Sequence, residues 1–122
     1  MSEILGIGTD IESITRFRSR PKNENRRFYQ RIFTSFELDY CFKKKDPYPH
    51  LTARFAAKEA VVKAFSGLKK LNYSQIEVRN YNAGKPYIKI LTTDNDILEE
   101  TKVLISLSHC EEYAVAFVIV YK

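Results

Sequence analysis

Cys41 and Cys110 are the only cysteines in this 122-residue chain, and it has no tryptophan. Two cysteines are too few for a disulfide scaffold, so a reducing, cytoplasmic setting is expected. Neither has a histidine at metal-ligand spacing, which argues against a zinc site. No apolar run approaches the roughly 20 residues that a membrane span needs. The first residues include Glu3 and lack the apolar core of a secretory leader. No repeat or low-complexity tract is present, and neither "GLKKL" nor "NAGKP" has the spacing of a P-loop. What remains is one domain over residues 1–122, with a hydrophobic share of 44% that supports a modest core.

Acidic charge is also scarce in one place. Arg16, Arg18, Arg20, Lys22, Arg26, Arg27 and Arg31 share their segment with a single acid, Glu24. The segment carries +6 of the formal net charge of +5, so the rest sums to about −1. Such a patch suits a polyanionic partner: nucleic acid, an acidic lipid surface or an acidic protein. A solvated basic face is the plainer alternative.

The pattern predicts a strand over 3–9, a short helix over 11–18, a polar loop over 19–25 and a helical turn over 26–32. A helix follows in "TSFELDYCFKK", where Thr34 and Glu37 have capping-box spacing. The prolines of "KKKDPYPH" break it. "LTARFAAKEAVVKAF", residues 51–65, is the clearest helix, with Gly67 just beyond. Period-two segments come next: "SQIEVRNY", "YIKIL", "VLISLSH" and "YAVAFVIVY", with a turn at "NAGKP" and a short hairpin loop at "CEE". Helices first and antiparallel strands second define an α+β class, helices packed on one antiparallel sheet.

On the 51–65 helix, Leu51, Phe55, Val62 and Phe65 fall within about 80° and form an apolar stripe. Thr52, Ala56, Glu59 and Lys63 fall on another. Glu59 and Lys63, one turn apart, either face a pocket beside small residues or form a routine exposed pair. Lys58 lies inside the apolar stripe, so it either snorkels or aims its charge at a phosphate, with Arg54 one turn before it. Asp10, in "GIGTDI", either caps the 11–18 helix or meets Glu59 to hold Mg²⁺ with phosphate oxygens. Ser106, Ser108 and His109 place donors at a strand end, where ligands are often met, although a lone histidine is commonly structural.

With "GIGTDI", "RIFTSFELDYC", "ARFAAKEAVVKAF", "GKP" and "SLSH…YAVAFV" in this order, the chain resembles the holo-acyl-carrier-protein synthases, the small group I type of 4′-phosphopantetheinyl transferase. The resemblance covers residues 4–120 or so. It departs at "KAFSGLKKLNY", where the family has a Gly-Thr-Gly type loop. It implies a 4′-phosphopantetheinyl transferase-like α+β fold with active sites at trimer interfaces. The implied reaction moves phosphopantetheine from coenzyme A to a serine of apo acyl carrier protein and releases adenosine 3′,5′-bisphosphate. Asp10 and Glu59 would be ligands of Mg²⁺, with Mn²⁺ as a substitute, and Lys63 would contact the pyrophosphate. Glu59 is also a candidate for the base that takes the serine proton. Arg54, Lys58, Ser108, His109 and the Gly84-Lys85-Pro86 turn correspond to the coenzyme A-facing set. Arg16, Arg20, Arg26, Arg27 and Phe28 correspond to the surface that docks the acidic carrier. Gly6 and Gly8 would allow close backbone packing beside the site.

A second reading is a non-catalytic, basic nucleic-acid-binding module, using the +6 segment with Phe17, Phe28 and Tyr29 as stacking groups. It leaves Asp10 and Glu59 without a purpose, because bare carboxylates repel phosphate. The transferase reading expects coenzyme A and the carrier as partners, and neither a membrane nor nucleic acid.

Overall fold

The computed structural model describes residues 3–92 and 100–122. Strand β1 (Ile4–Ser13) leads into helix α1 (Ile14–Arg18). A 3₁₀ turn at Lys22–Glu24, helix α2 (Arg26–Ile32) and helix α3 (Ser35–Phe42) follow. The long helix α4 spans Pro47–Ala64. A second 3₁₀ turn, Tyr73–Gln75, precedes β2 (Ile76–Asn80), β3 (Pro86–Ile90), β4 (Lys102–His109) and β5 (Tyr113–Tyr121). The class is α+β, and every strand pair among the described residues is antiparallel.

The strands are divided between two ladders: a three-stranded sheet in the order β1-β5-β4, and a β2-β3 ribbon. β3 lies beside β4, so the ribbon extends the layer without a described ladder joining the two. Helix α4 packs across β1 and β5. Ala56, Ala57, Ala60, Val61 and Ala64 form its contact with Ala116, Val118 and Val120. A second core, between the short helices and the start of α4, is aromatic: Phe17, Tyr29, Phe33 and Phe55 surround Cys41 and Leu51.

Two boundaries move from their expected places, each for a physical reason. The sequence predicts helix from residue 11, but Asp10, Ile11, Glu12 and Ser13 pair with Ala116, Val115, Ala114 and Tyr113. Ladder bonds and burial against β5 outweigh local preference, so Asp10 sits inside a strand and caps no helix. The prolines follow the end of α3 at Phe42, as expected, and the helix expected over 51–65 starts four residues early, at Pro47. Asp46 is the N-cap of α4, accepting from the Tyr48 N–H, and Pro47 occupies the first turn, where its missing N–H costs nothing.

The glycines of β1 set the spacing between strand and helix. A Cβ on Gly6 would lie 1.9 Å from the Ala64 carbonyl oxygen, and one on Gly8 1.9 Å from that of Ala60. Only glycine lets the two backbones meet this closely. This contact brings the next residues of that strand face, Asp10 and Glu12, against α4.

Candidate active site

Asp10 and Glu12 share a face of β1 because strand side chains alternate. Glu59 and Lys63 lie one turn apart on α4 and face them. The Lys63 ammonium donates to the Thr9 carbonyl at 3.0 Å and to Asp10 Oδ1 at 3.3 Å. The Asp10 side chain is only 12% exposed, whereas that of Lys63 is 54% exposed. Asp10 Oδ2 is buried and accepts no hydrogen bond. Glu59 accepts a hydrogen bond from the Tyr73 hydroxyl.

Glu12 completes the cluster. Burial, then the neighbouring Asp10 carboxylate, push its carboxyl up to about 7, and the charge of Glu59 adds to this. Arg16, 3.4 Å away, opposes the rise. Burial first, and the neighbouring carboxylates second, thus favour the protonated form of this carboxyl. Tyr73 is pushed up to about 12, first by burial and then by Glu59, so its phenol remains a donor at neutral pH.

These residues fit a hard divalent cation. All the donors are oxygens, one buried carboxylate oxygen lacks a partner, and the local charge is in excess. Among the described residues, no three His, Cys, Asp or Glu side chains close into a complete cage. A cation here would need further oxygens from a ligand or water, which is how Mg²⁺ is usually held.

A second, cationic neighbourhood surrounds the first half of α4. Burial lowers the His50 pKa, and the charges of Arg54, Lys44 and His109 lower it further. Arg54 is buried, stacks 4.2 Å from the Tyr40 ring centre and donates to Asn80 Oδ1 at 2.7 Å. Asn80 in turn donates to the Gly84 carbonyl at 2.8 Å. Arg54 is thus tied to the Gly84-Lys85-Pro86 turn, where Gly84 adopts a φ of 95° that favours glycine. Ser108 and His109 are exposed at the end of β4.

Lys58 does not join either group, which corrects both readings of it. Its ammonium is buried with Glu37, 2.7 Å away, and also donates to the carbonyls of Tyr73 and Ile76. It neither snorkels to water nor faces a ligand. The expected docking residues have varied settings. Arg16 leans on Glu12 and lies 5.1 Å from the Phe55 ring centre. Arg20 sits 4.2 Å over Phe28, which is half-buried, while Arg26 and Arg27 are exposed. Phe17 and Tyr29 are buried at 0% and 1% exposure, so neither can stack on a base. The nucleic-acid reading loses two of its three aromatics.

Sequence reasoning missed Glu12, Tyr73, Lys44 and His50. Glu12 follows from Asp10 by the two-residue alternation once β1 is known to continue. Tyr73 lies in a loop with no periodic signal.

A family model described as the 4′-phosphopantetheinyl transferase superfamily matches residues 6–118, which sets the class. A holo-[acyl-carrier-protein] synthase from Protochlamydia amoebophila is 44% identical over 94% of this chain and 96% of its own length. Among solved structures, the holo-[acyl-carrier-protein] synthase of Neisseria meningitidis superposes with a TM-score of 0.84 at 31% identity, covering 98% of this chain and all of that one (100%). That of Bacillus anthracis, in complex with CoA (3′,5′-ADP), superposes with a TM-score of 0.79 at 32% identity, covering 98% and 97%. The chain belongs to the 4′-phosphopantetheinyl transferase superfamily and, within it, to the holo-[acyl-carrier-protein] synthases.

Proposed function

We propose that this protein transfers 4′-phosphopantetheine from coenzyme A to a serine of an apo acyl carrier protein, leaving adenosine 3′,5′-bisphosphate. The observation that supports this reading is the Lys63 ammonium of α4 lying 3.3 Å from Asp10 of β1, whose other carboxylate oxygen is buried without a partner, with Glu59 one turn away on the same helix and its charge felt at Glu12. Asp10 and Glu59 would hold Mg²⁺, or Mn²⁺ in its place, with ligand oxygens and water completing the shell. The cation would supply charge neutralisation at the pyrophosphate bridge.

The chain's own residues do the rest. Lys63, half-exposed and already turned toward Asp10, sets an ammonium against the pyrophosphate and offsets charge as the bridge breaks. Arg54, His109, Ser108 and the Gly84-Lys85-Pro86 turn receive the nucleotide end, joined by Lys44 and His50, which their charges link to the same neighbourhood. Glu59 is our candidate to take the serine proton. The exposed arginines Arg16, Arg20, Arg26 and Arg27, with Phe28, meet the acidic carrier, and opposite charge speeds that encounter. Salt should weaken it.

The outer face of the β1-β5-β4 sheet carries Ile7 and Ile11, each 61% exposed, and Phe117 at 44%. An apolar face of this kind is consistent with a homotrimer whose sites lie between subunits. Among the described residues no helix is long and apolar enough to cross a membrane. We place the protein in the cytoplasm, with its carrier.

The test is a mass measurement. The protein, coenzyme A, Mg²⁺ and an apo carrier should add one phosphopantetheine to the carrier. Glu59→Gln should abolish the gain while leaving the fold intact. No mass gain with the unaltered protein, across a range of metal concentrations, overturns the reading.

A further inference from the structure

Lys58 and Glu59 are consecutive on α4, yet both bind the same residue from opposite ends. The buried Lys58 ammonium donates to the Tyr73 main-chain carbonyl at 2.8 Å, and the Glu59 carboxylate accepts from the Tyr73 hydroxyl. Lys58 is itself fixed by Glu37, 2.7 Å away. Glu37 is held by the backbone N–H of Thr34 at 2.9 Å and that of Val78 at 2.8 Å. The Tyr73 ring rests edge-on against Phe55, with centres 5.5 Å apart. Its backbone sits in a 3₁₀ turn closed by reciprocal bonds between Asn72 and Gln75. Tyr73 is therefore fixed at its carbonyl, its ring and its turn before its hydroxyl reaches Glu59.

We propose that Tyr73 is a positioning residue, whose hydroxyl, anchored through the buried Glu37–Lys58 pair, fixes the orientation of the Glu59 carboxylate. Competing partners make such an anchor necessary. Glutamate has three rotatable bonds, and Glu59 has cations within reach of its charge. Lys63 lies one turn ahead, but it is committed to Thr9 and Asp10. Arg16 is committed to Glu12. The described hydrogen bond of Glu59 is the one from Tyr73, to Oε1, which leaves Oε2 for another partner. Groups that orient a ligating carboxylate in this way usually matter to metal affinity as much as to structure.

This inference rests on reading Glu59 as a cation ligand, so its test needs a readout that survives if that reading fails. Tyr73→Phe removes one oxygen and keeps both the ring against Phe55 and the carbonyl that Lys58 uses, so the variant folds. Two measurements are made on it and on the unaltered full-length protein: Mn²⁺ binding by electron paramagnetic resonance without substrates, and a crystal structure. The expected result is a Kd for Mn²⁺ raised about tenfold or more, with a displaced Glu59 carboxylate. In turnover, kcat falls with the KM for coenzyme A unchanged, whereas loss of mere packing would lower melting temperature and leave Mn²⁺ affinity alone. An unchanged Mn²⁺ affinity overturns the proposal. If the unaltered protein binds no Mn²⁺ and transfers nothing, the functional reading fails instead. The crystal structure then decides this one, and a Glu59 carboxylate that keeps its place in Tyr73→Phe overturns it.

Discussion

The Lys58 ammonium and the Glu37 carboxylate lie 2.7 Å apart, and both side chains are fully buried. Burial lowers the Lys58 pKa, and Glu37 works against that shift. A pair of this kind adds little when compared with apolar replacements, but removing one member leaves a buried charge exposed to no counter-charge. Lys58→Met should therefore cost about 3 to 5 kcal/mol of unfolding free energy. The double variant Glu37→Gln, Lys58→Met should cost less than the sum of the two single changes. Urea unfolding of the four proteins measures this, and strict additivity would refute the pairing.

Gly8 should tolerate no side chain. A Cβ there would lie 1.9 Å from the Ala60 carbonyl oxygen and 3.0 Å from the Ala64 nitrogen, both parts of the α4 backbone. No rotamer change relieves a backbone clash, so Gly8→Ala must push β1 away from the helix. Over-packing of this kind costs about 1 to 3 kcal/mol. The strand also carries Asp10, two residues on, so transfer activity should fall by more than the loss of folded protein explains. Activity normalised to the folded fraction, read by circular dichroism, is the check. Normal specific activity would show that β1 and α4 are not rigidly registered.

Much of this was visible in the residues alone, and the failures have identifiable causes. Asp10, Glu59 and Lys63 stood out as local patterns, but each pattern alone fitted a helix cap or a routine ion pair equally, and the family resemblance singled them out. Glu37 was legible only as a helix cap, because its second role depends on α4 and β2 arriving from 21 and 41 residues further along. Lys58 was misread for the same reason: an ammonium in an apolar stripe looks exposed until its buried partner is known. Glu12 was hidden by the shortness of the expected strand. The ladder to β5, which extends β1 through Ser13, is a contact between the two ends of the chain. Tyr73 sits in a loop, where neither the 3.6 nor the two-residue period applies.

Asp46 should have a measurable but small structural role. It caps α4 through the Tyr48 N–H and makes a two-pronged contact with Arg18 at 2.9 and 3.2 Å. The Arg18 hydrogen bond, chiefly, lowers the Asp46 pKa. The exposed ion pair adds little, so most of the effect of Asp46→Ala should be loss of the cap, about 0.5 to 2 kcal/mol. A carboxylate with a lowered folded-state pKa stabilises above its unfolded value of about 3.9 and loses that contribution as pH falls through the folded value. The gap between the unaltered protein and Asp46→Ala should thus be constant from about pH 5 to 8 and close in acid below about pH 4. Thermal melting at stepped pH tests it. A gap that persists at the acid end would mean that the aspartate acts through something other than its charge.

His50 should report the nucleotide. Burial lowers its pKa first, and the charges of Arg54, Lys44 and His109 add to that. In the free protein its imidazole should titrate below the ordinary value of about 6.5. If the phosphates of adenosine 3′,5′-bisphosphate settle among Arg54, Lys44 and His109, their negative charge offsets the cations that hold His50 neutral. The pKa of His50 should then rise on binding. By linkage, the nucleotide should bind more tightly as pH falls through the interval between the two values, because the protonated imidazole is favoured in the complex. Proton NMR of the His50 ring, with and without saturating nucleotide, measures the shift directly, and His50→Gln should flatten the pH dependence of affinity across that interval. A His50 titration unmoved by bound nucleotide would place the phosphates elsewhere and remove Arg54 and His109 from the nucleotide-facing set.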